Sequence, residues 1–373
     1  MAEGRALLAS LLRHEAKANT YKFALVRALN DLALDAPWLT DQDVIIPVRR
    51  VAERWLVFYW PFVGPQEVQQ GSRPVRGGVR RQDMSFRAAL TRLRRAWEAP
   101  QVRGHPADGA LLLAEVQADR GRLSPELRAL TTQALDAIAL AVRQPLKFAG
   151  PGGPHGLFGH VAPVATLPGT PLPGAQAQEA AFVVPAGLWS ALHDLSLWVD
   201  ALCLHEWSLF VERVEQTPRV TRGEVFTLLT AAPETRIPLT WERHQVRLLL
   251  LDGLPFTCPW TARPLGPDAF DLDHLIPVAT HPISELWNLI PSDPRHNQHV
   301  KRDRIPDAGR LTQALPILSG TYATYGSAGA LSPVLQRDVT ARFGRWLPGP
   351  RELALEVVRL SEAVAQARNV PRY

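Results

Sequence analysis

Apolar residues recur at helical spacing along most of the chain. In "NTYKFALVRALNDLAL", Phe23, Leu25, Leu29 and Leu32 fall near one face. This predicts helix across residues 4–35, with Asn19 or Thr20 as N-cap. A second helix is expected over "VRRVAERWLVFYW", another from Ser85 through "SFRAALTRLRRAWE", and another over 124–143. Residues 186–214, with Trp189, Trp198 and Trp207, read as one long helix. "GEVFTLLTAAPE" and "TWERHQVRLLLLDGL" read as shorter ones, and "RELALEVVRLSEAVAQAR" predicts a helical C-terminal extension. Residues 150–178 are rich in Gly and Pro, which suits either a linker or short strands with turns. "EAAFVVP" after them reads as a strand. The expected fold class is mainly α with small α+β parts.

The pattern changes over 256–306. "FDLDHLIP" reads as an apolar strand, yet it holds Asp271, Asp273 and His274, and charge buried without a partner is costly. "LWNLIPS" reads as a second strand. "PRHNQHVKRDRI" opens a helix, with Asp293 as N-cap and Pro294 at the first helical position. On that helix Asn297, Lys301 and Arg304 are spaced i, i+4 and i+7, which places them on one face. With that face over Asp273, a carboxylate and an amide oxygen converge. Such hard donors suit Mg²⁺ or Mn²⁺. Adjacent strand residues point to opposite faces, so Asp273 and His274 can share a site only at a strand end or bulge. Pro277 is consistent with a strand about to end. A helix N-terminus with Lys and Arg favours a phosphate, and a neutral histidine can take a proton from water. These parts suffice for phosphodiester hydrolysis.

The ordered set "DLDHLIP", "LWNLIP" and "HNQHVKRDR" resembles the HNH family of nucleases, the ββα-metal fold. It looks most like the form with Asp-His in the first strand and Asn-x-x-x-Lys in the helix, as in CRISPR effector nucleases and many bacterial restriction endonucleases. The resemblance covers roughly 55 residues and implies roles position by position. His274 would be the general base, and Asp273 and Asn297 would hold Mg²⁺ or Mn²⁺. Asn288 would hold the loop and orient the base through backbone hydrogen bonds. Lys301 would contact phosphate or the leaving oxygen. His296 could instead be the final histidine of the motif, but the spacing from Asn288 favours Asn297. Many HNH proteins carry paired CxxC zinc knuckles. Here only Cys258 is available, so no structural zinc is expected, and packing by Trp260, Leu265 and Phe270 should hold the preceding hairpin.

Charge adds a partner. The formal net charge is +5, which favours an acidic one, although a solvated basic surface fits composition equally well. The most basic region holds Arg76, Arg80, Arg81, Arg87, Arg92, Arg94 and Arg95. It reads either as a phosphate-contacting face or as a solvated one. Arg76, Arg80, Arg81 and Arg304 are the candidate DNA contacts. The aromatic run "WLVFYWPFV" reads as core, with base stacking as the alternative. His193 and His205 are more often structural than ligands. Two cysteines exclude a disulfide framework and suit a reducing cytosol. No apolar run is long enough for a transmembrane helix.

The expected division is a helical DNA-recognition part at 1–110, a helical middle at 111–250, an HNH domain at 251–310 and a helical extension at 311–373. The arrangement looks like that of modification-dependent restriction endonucleases and related phage-defence nucleases. The activity this implies is metal-dependent cleavage of DNA, modified DNA included. An inactive DNA-binding protein and an RNA-directed nuclease are the alternatives. Coordinated double-strand cutting needs two HNH units, which raises a homodimer as a hypothesis.

Overall fold

The stripe read over residues 4–35 folds in pieces: helix α1 (Ala2–Ala9), a π-turn over Ser10–His14, and helix α2 (Tyr21–Asp35). The break falls at Glu15, which adopts extended backbone. The helix restarts at Tyr21, whose N–H donates to the Asn19 side chain at 3.1 Å. The computed structural model describes every residue except 1, 16, 40, 73–74, 77–78, 81, 100–103, 119–122, 215–218, 232–238, 279–282 and 284. The chain divides into two units, Met1–Glu234 and Thr235–Tyr373.

In the first unit, α2 is followed by β1 (Val44–Pro47) and α3 (Val48–Tyr59). A short hairpin of β2 (Val75–Arg76) and β3 (Val79–Arg80) comes next, then helices α4 (Arg87–Glu98), α5 (Asp108–Ala118) and α6 (Pro125–Phe148). Strands β4 (Ala162–Pro163), β5 (Thr170–Pro171) and β6 (Ala180–Val184) precede α7 (Ala186–Asp194), α8 (Ser196–Arg213) and α9 (Arg222–Leu229). The Gly- and Pro-rich stretch therefore carries short strands. With β1 they form a sheet ordered β4-β6-β1-β5. Residues 186–214, expected as one helix, are two, because Leu195 leaves helical geometry at φ −107° and ψ 17°.

One apolar core runs through this unit from Leu8 to Leu229, so the boundary expected near residue 110 lies inside it. The aromatic run is core: Trp55, Tyr59, Trp60 and Phe62 are all 0% exposed. Polar groups tie the core together. Trp207 donates to the Gln70 side chain at 2.7 Å, and Thr20 meets both Gln70 and the Tyr59 hydroxyl. Arg87 is buried, paired with Asp83 at 2.7 Å, and donates to the carbonyls of Phe62 and Val68. Arg94 is buried against Glu98 and the Trp60 carbonyl. These two arginines cannot belong to a phosphate-contacting face, because their donors are already taken within the core. Arg92 and Arg95 remain exposed.

The second unit begins with α10 (Thr240–Leu251) and continues through β7 (Asp271–His274) and β8 (Leu289–Ser292). A short α11 (Pro294–His296) runs into a π-turn over Asn297–Lys301. Helices α12 (Ala308–Ser327), α13 (Ser332–Phe343) and α14 (Pro350–Ala367) follow. Leu275, Ile276, Leu289 and Ile290 share one core with Leu311, Leu318, Tyr322 and Val357, so 251–310 and 311–373 are packed as a single body. The fold is mostly helical with small sheets. Among the described residues, no helix is long and apolar enough to cross a membrane.

Candidate functional site

Strand period places Asp271 and Asp273 on one face of β7. That strand pairs antiparallel with β8, Asp271 opposite Ser292 and His274 opposite Leu289. The helical segment after β8 starts as its sequence predicts, with the Asp293 carboxylate accepting from the His296 N–H at 3.0 Å. Its Asn297 then donates to the Asp271 carboxylate at 3.2 Å, and Gln298 donates to the same oxygen at 3.1 Å. Lys301 forms an ion pair with the Asp273 carboxylate at 2.8 Å and donates to the His274 carbonyl at 2.7 Å. The helix is thus stitched to the strand at Asp271, Asp273 and His274 together.

Asn288 locks the next turn of chain. Its side-chain oxygen accepts from the Ile276 N–H at 2.8 Å, and its amide donates to the Ile276 carbonyl at 3.1 Å. Its own carbonyl accepts from the Leu275 N–H at 2.8 Å. Asn288 is 0% exposed, so these bonds form away from water. They fix the chain just beyond His274, where β7 ends and the backbone bends. His274 itself is 5% exposed, at the strand end that sharing a site with Asp273 requires.

Two expected residues, Lys301 and Arg304, have partners that the sequence did not suggest. Lys301, assigned to phosphate or the leaving oxygen, is 1% exposed and paired with Asp273, because a buried ammonium needs an anion. Arg304 is off the Asn297–Lys301 face, since the helical segment ends at Arg302, where φ is 51°. Its guanidinium lies over the Tyr373 ring at 5.4 Å instead. Arg76 and Arg80 belong to β2 and β3 of the first unit, paired with Val79 and Val75, and Arg81 lies outside the described residues.

Other residues surround the site that the motif did not indicate. Tyr373 packs on His296 at 5.6 Å between ring centroids, with Arg310 on its ring at 5.1 Å. Burial, then the charge of Asp273, pushes the Tyr373 hydroxyl well up from its ordinary range. Burial, then Arg310, pushes the His296 imidazole down. On the opposite side, α12 and α13 hold residues 285–289. Asp338 accepts from the Leu286 N–H at 2.9 Å, and Arg342 grips Glu285 at 2.6 and 2.9 Å. The Tyr322 and Tyr325 hydroxyls donate to the carbonyls of Trp287 and Leu289. No local spacing signals these contacts, because they bridge more than thirty residues. Sequence alone left Asp271 unassigned; the structure gives it Asn297 and Gln298 as donors, and the strand period that puts it on the face of Asp273 was the signal that could have found it.

The loop before β7 is held by the backbone and by packing. Cys258 and Arg263 are joined through N–H and carbonyl at 2.8 Å, and Leu265 and Phe256 at 2.9 Å. Phe270 is buried in the core, with Trp260 and Leu265 packed against it. Cys258 is a buried free thiol.

Asp271, Asp273 and Asn297 together offer two carboxylates and an amide oxygen. That donor set fits Mg²⁺ or Mn²⁺, which take one or two protein carboxylates and keep several waters. Among the described residues, no group of three or more His, Cys, Asp or Glu side chains is placed to hold a metal ion.

These features define a mainly helical protein whose second unit carries a strand–strand–helix site. The chain belongs to the family described as Domain of unknown function (DUF8808), whose model matches residues 2–229. The match ends before α10 and leaves the site outside it. No curated protein and no solved structure matches the chain.

Proposed function

We propose that the chain is a metal-dependent DNA endonuclease of the HNH type that hydrolyses phosphodiester bonds in restriction or phage defence. One arrangement carries the reading: Asn288 fixes the backbone beyond His274, while Asn297 and Lys301 face Asp271 and Asp273. Asp273, Asn297 and Asp271 would hold Mg²⁺ or Mn²⁺, and a bound ion of this kind polarises a phosphoryl oxygen. His274 takes the proton from the attacking water at an imidazole nitrogen. The Asn288 clamp holds its backbone still. The first unit serves as the targeting part, and a homodimer pairs two sites for a double-strand cut. Buried thiols at Cys203 and Cys258 suit a reducing cytosol.

One observation favours a second reading. The Lys301 ammonium neutralises Asp273, as it would in a DNA-binding protein that keeps the fold without the activity. Digestion of modified DNA, unmodified DNA and RNA side by side, with Mg²⁺, Mn²⁺ or a chelator, separates the readings. Cleavage of DNA only with a divalent ion supports the endonuclease. Gel-shifted DNA left uncut in every metal supports the inactive binder. Preferential loss of RNA moves the substrate class.

A further inference from the structure

Helix α10 lies outside the motif that marks the site, yet it forms one wall of a cavity beside it. The cavity has a volume of about 850 Å³, with Asp271, Leu272 and Asn297 at its inner side. Arg243, His244 and Arg247 line it from α10, and Arg302 lines it from the end of the π-turn. All four are exposed. The helix is built to present them. Glu242 and Val246 are 0% exposed on its buried side, so positions 243, 244 and 247 turn outward.

The local contacts leave these cations usable. Arg243 donates to the Phe270 carbonyl at 3.2 Å, which steadies it at the cavity wall without neutralising it. Arg247 pairs with Asp268 at 2.9 Å, but that aspartate is 77% exposed. An exposed pair of this kind is weak and screened by solvent, so a stronger anion can displace it. Arg302, at φ 51°, closes the helical segment beside the cavity. Asp303 also lines the cavity, but three arginines outnumber it and Asp271. Side chains four apart on a helix stand about 5–6 Å apart at Cβ, so Arg243 and Arg247 can meet neighbouring phosphates.

We propose that this groove binds the sugar–phosphate backbone of a nucleic-acid strand and leads it across Asp271 and Asn297. The inference rests on the nuclease reading for its direction, but binding can be measured apart from cleavage. The test is fluorescence anisotropy of the full chain with labelled duplex DNA, single-stranded DNA and single-stranded RNA, in chelator. Arg247→Glu/Arg302→Glu is compared with Arg345→Glu/Arg359→Glu, which reverses two arginines that are 68% and 72% exposed elsewhere in the same unit. The groove variant should bind at least about tenfold more weakly, with a salt slope shallower by about two, while the control changes little. Loss on any one strand type supports the groove and identifies its strand. Equal binding by the groove variant on all three, an equal loss in the control, or no binding by the wild type overturns it. If the wild type binds but cuts nothing in any divalent metal, the nuclease reading falls and the groove stands or falls on anisotropy alone.

Discussion

Both ends of the Asn288 amide are taken by the backbone of Ile276, and neither can be replaced by water at a fully buried position. Asn288→Ala therefore leaves a buried donor and acceptor unsatisfied and should destabilise the second unit by about 2–4 kcal/mol. Hydrogen exchange of peptides spanning 271–290 measures this; unchanged protection would show that the clamp is dispensable. Lys301 makes a parallel case. Lys301→Met takes the cation from buried Asp273 and should cost about 3–5 kcal/mol, while Lys301→Met/Asp273→Asn should recover much of it. A double variant no more stable than the single one would contradict the pairing. At this scale much of the site was legible. The place of Asn288 in the motif implied backbone hydrogen bonds, and they are present. The partner of Lys301 was not legible, because a motif position says nothing about whether a side chain is sealed from solvent.

Among the elements, α13 holds the turn that carries Asn288, and it does so through Asp338 and Arg342. Burial lifts the Asp338 carboxyl from 3.8 to about 6, against the opposing Leu286 N–H; Glu285 raises it further and Arg337 opposes. A pKa raised on folding means that the folded state binds the proton more tightly. The stability this group contributes is full below about pH 4 and is lost as pH rises through about 6. Asp338→Asn keeps an acceptor for Leu286 and should flatten that slope, which is on the order of 2–3 kcal/mol across the interval. Hydrogen exchange of residues 285–290 at several pH values reads it, and an unaltered slope in the variant would remove Asp338 as its source. The sequence announced α13 only as part of a helical extension. Its contact with the site joins residues 52 apart in sequence, a distance that no period of 2 or 3.6 can register. The helical segment 294–301 shows the converse limit. Its start was plain from Asp293 and Pro294, but it ends at Arg302, where φ is 51°, so Arg304 lies beyond it and not on the face that helical spacing gave it.

At the scale of the whole molecule, the large apolar core of each unit among the described residues predicts two calorimetric unfolding transitions. Arg87→Leu strips the buried Asp83 of its cation and should lower only the transition of the first unit, whereas Asn288→Ala should lower only that of the second. Both variants shifting one common transition would contradict this division. Hydrophobic period gave the mainly helical class readily, because most core residues lie on amphipathic helices. It missed the central strand "VIIP", whose four buried residues form a run too short to separate strand from helix. It also missed how the helical regions merge into two cores, since core membership depends on contacts distant in sequence. The reaction proposed for the strand–strand–helix site is phosphodiester hydrolysis with His274 as base. It is tested most directly by plasmid cleavage with the full chain in Mg²⁺ or Mn²⁺, wild type against His274→Ala, with matched circular dichroism. The account predicts cleavage by the wild type and its loss, by at least about a hundredfold, in a correctly folded His274→Ala. Undiminished cleavage by that folded variant would contradict it.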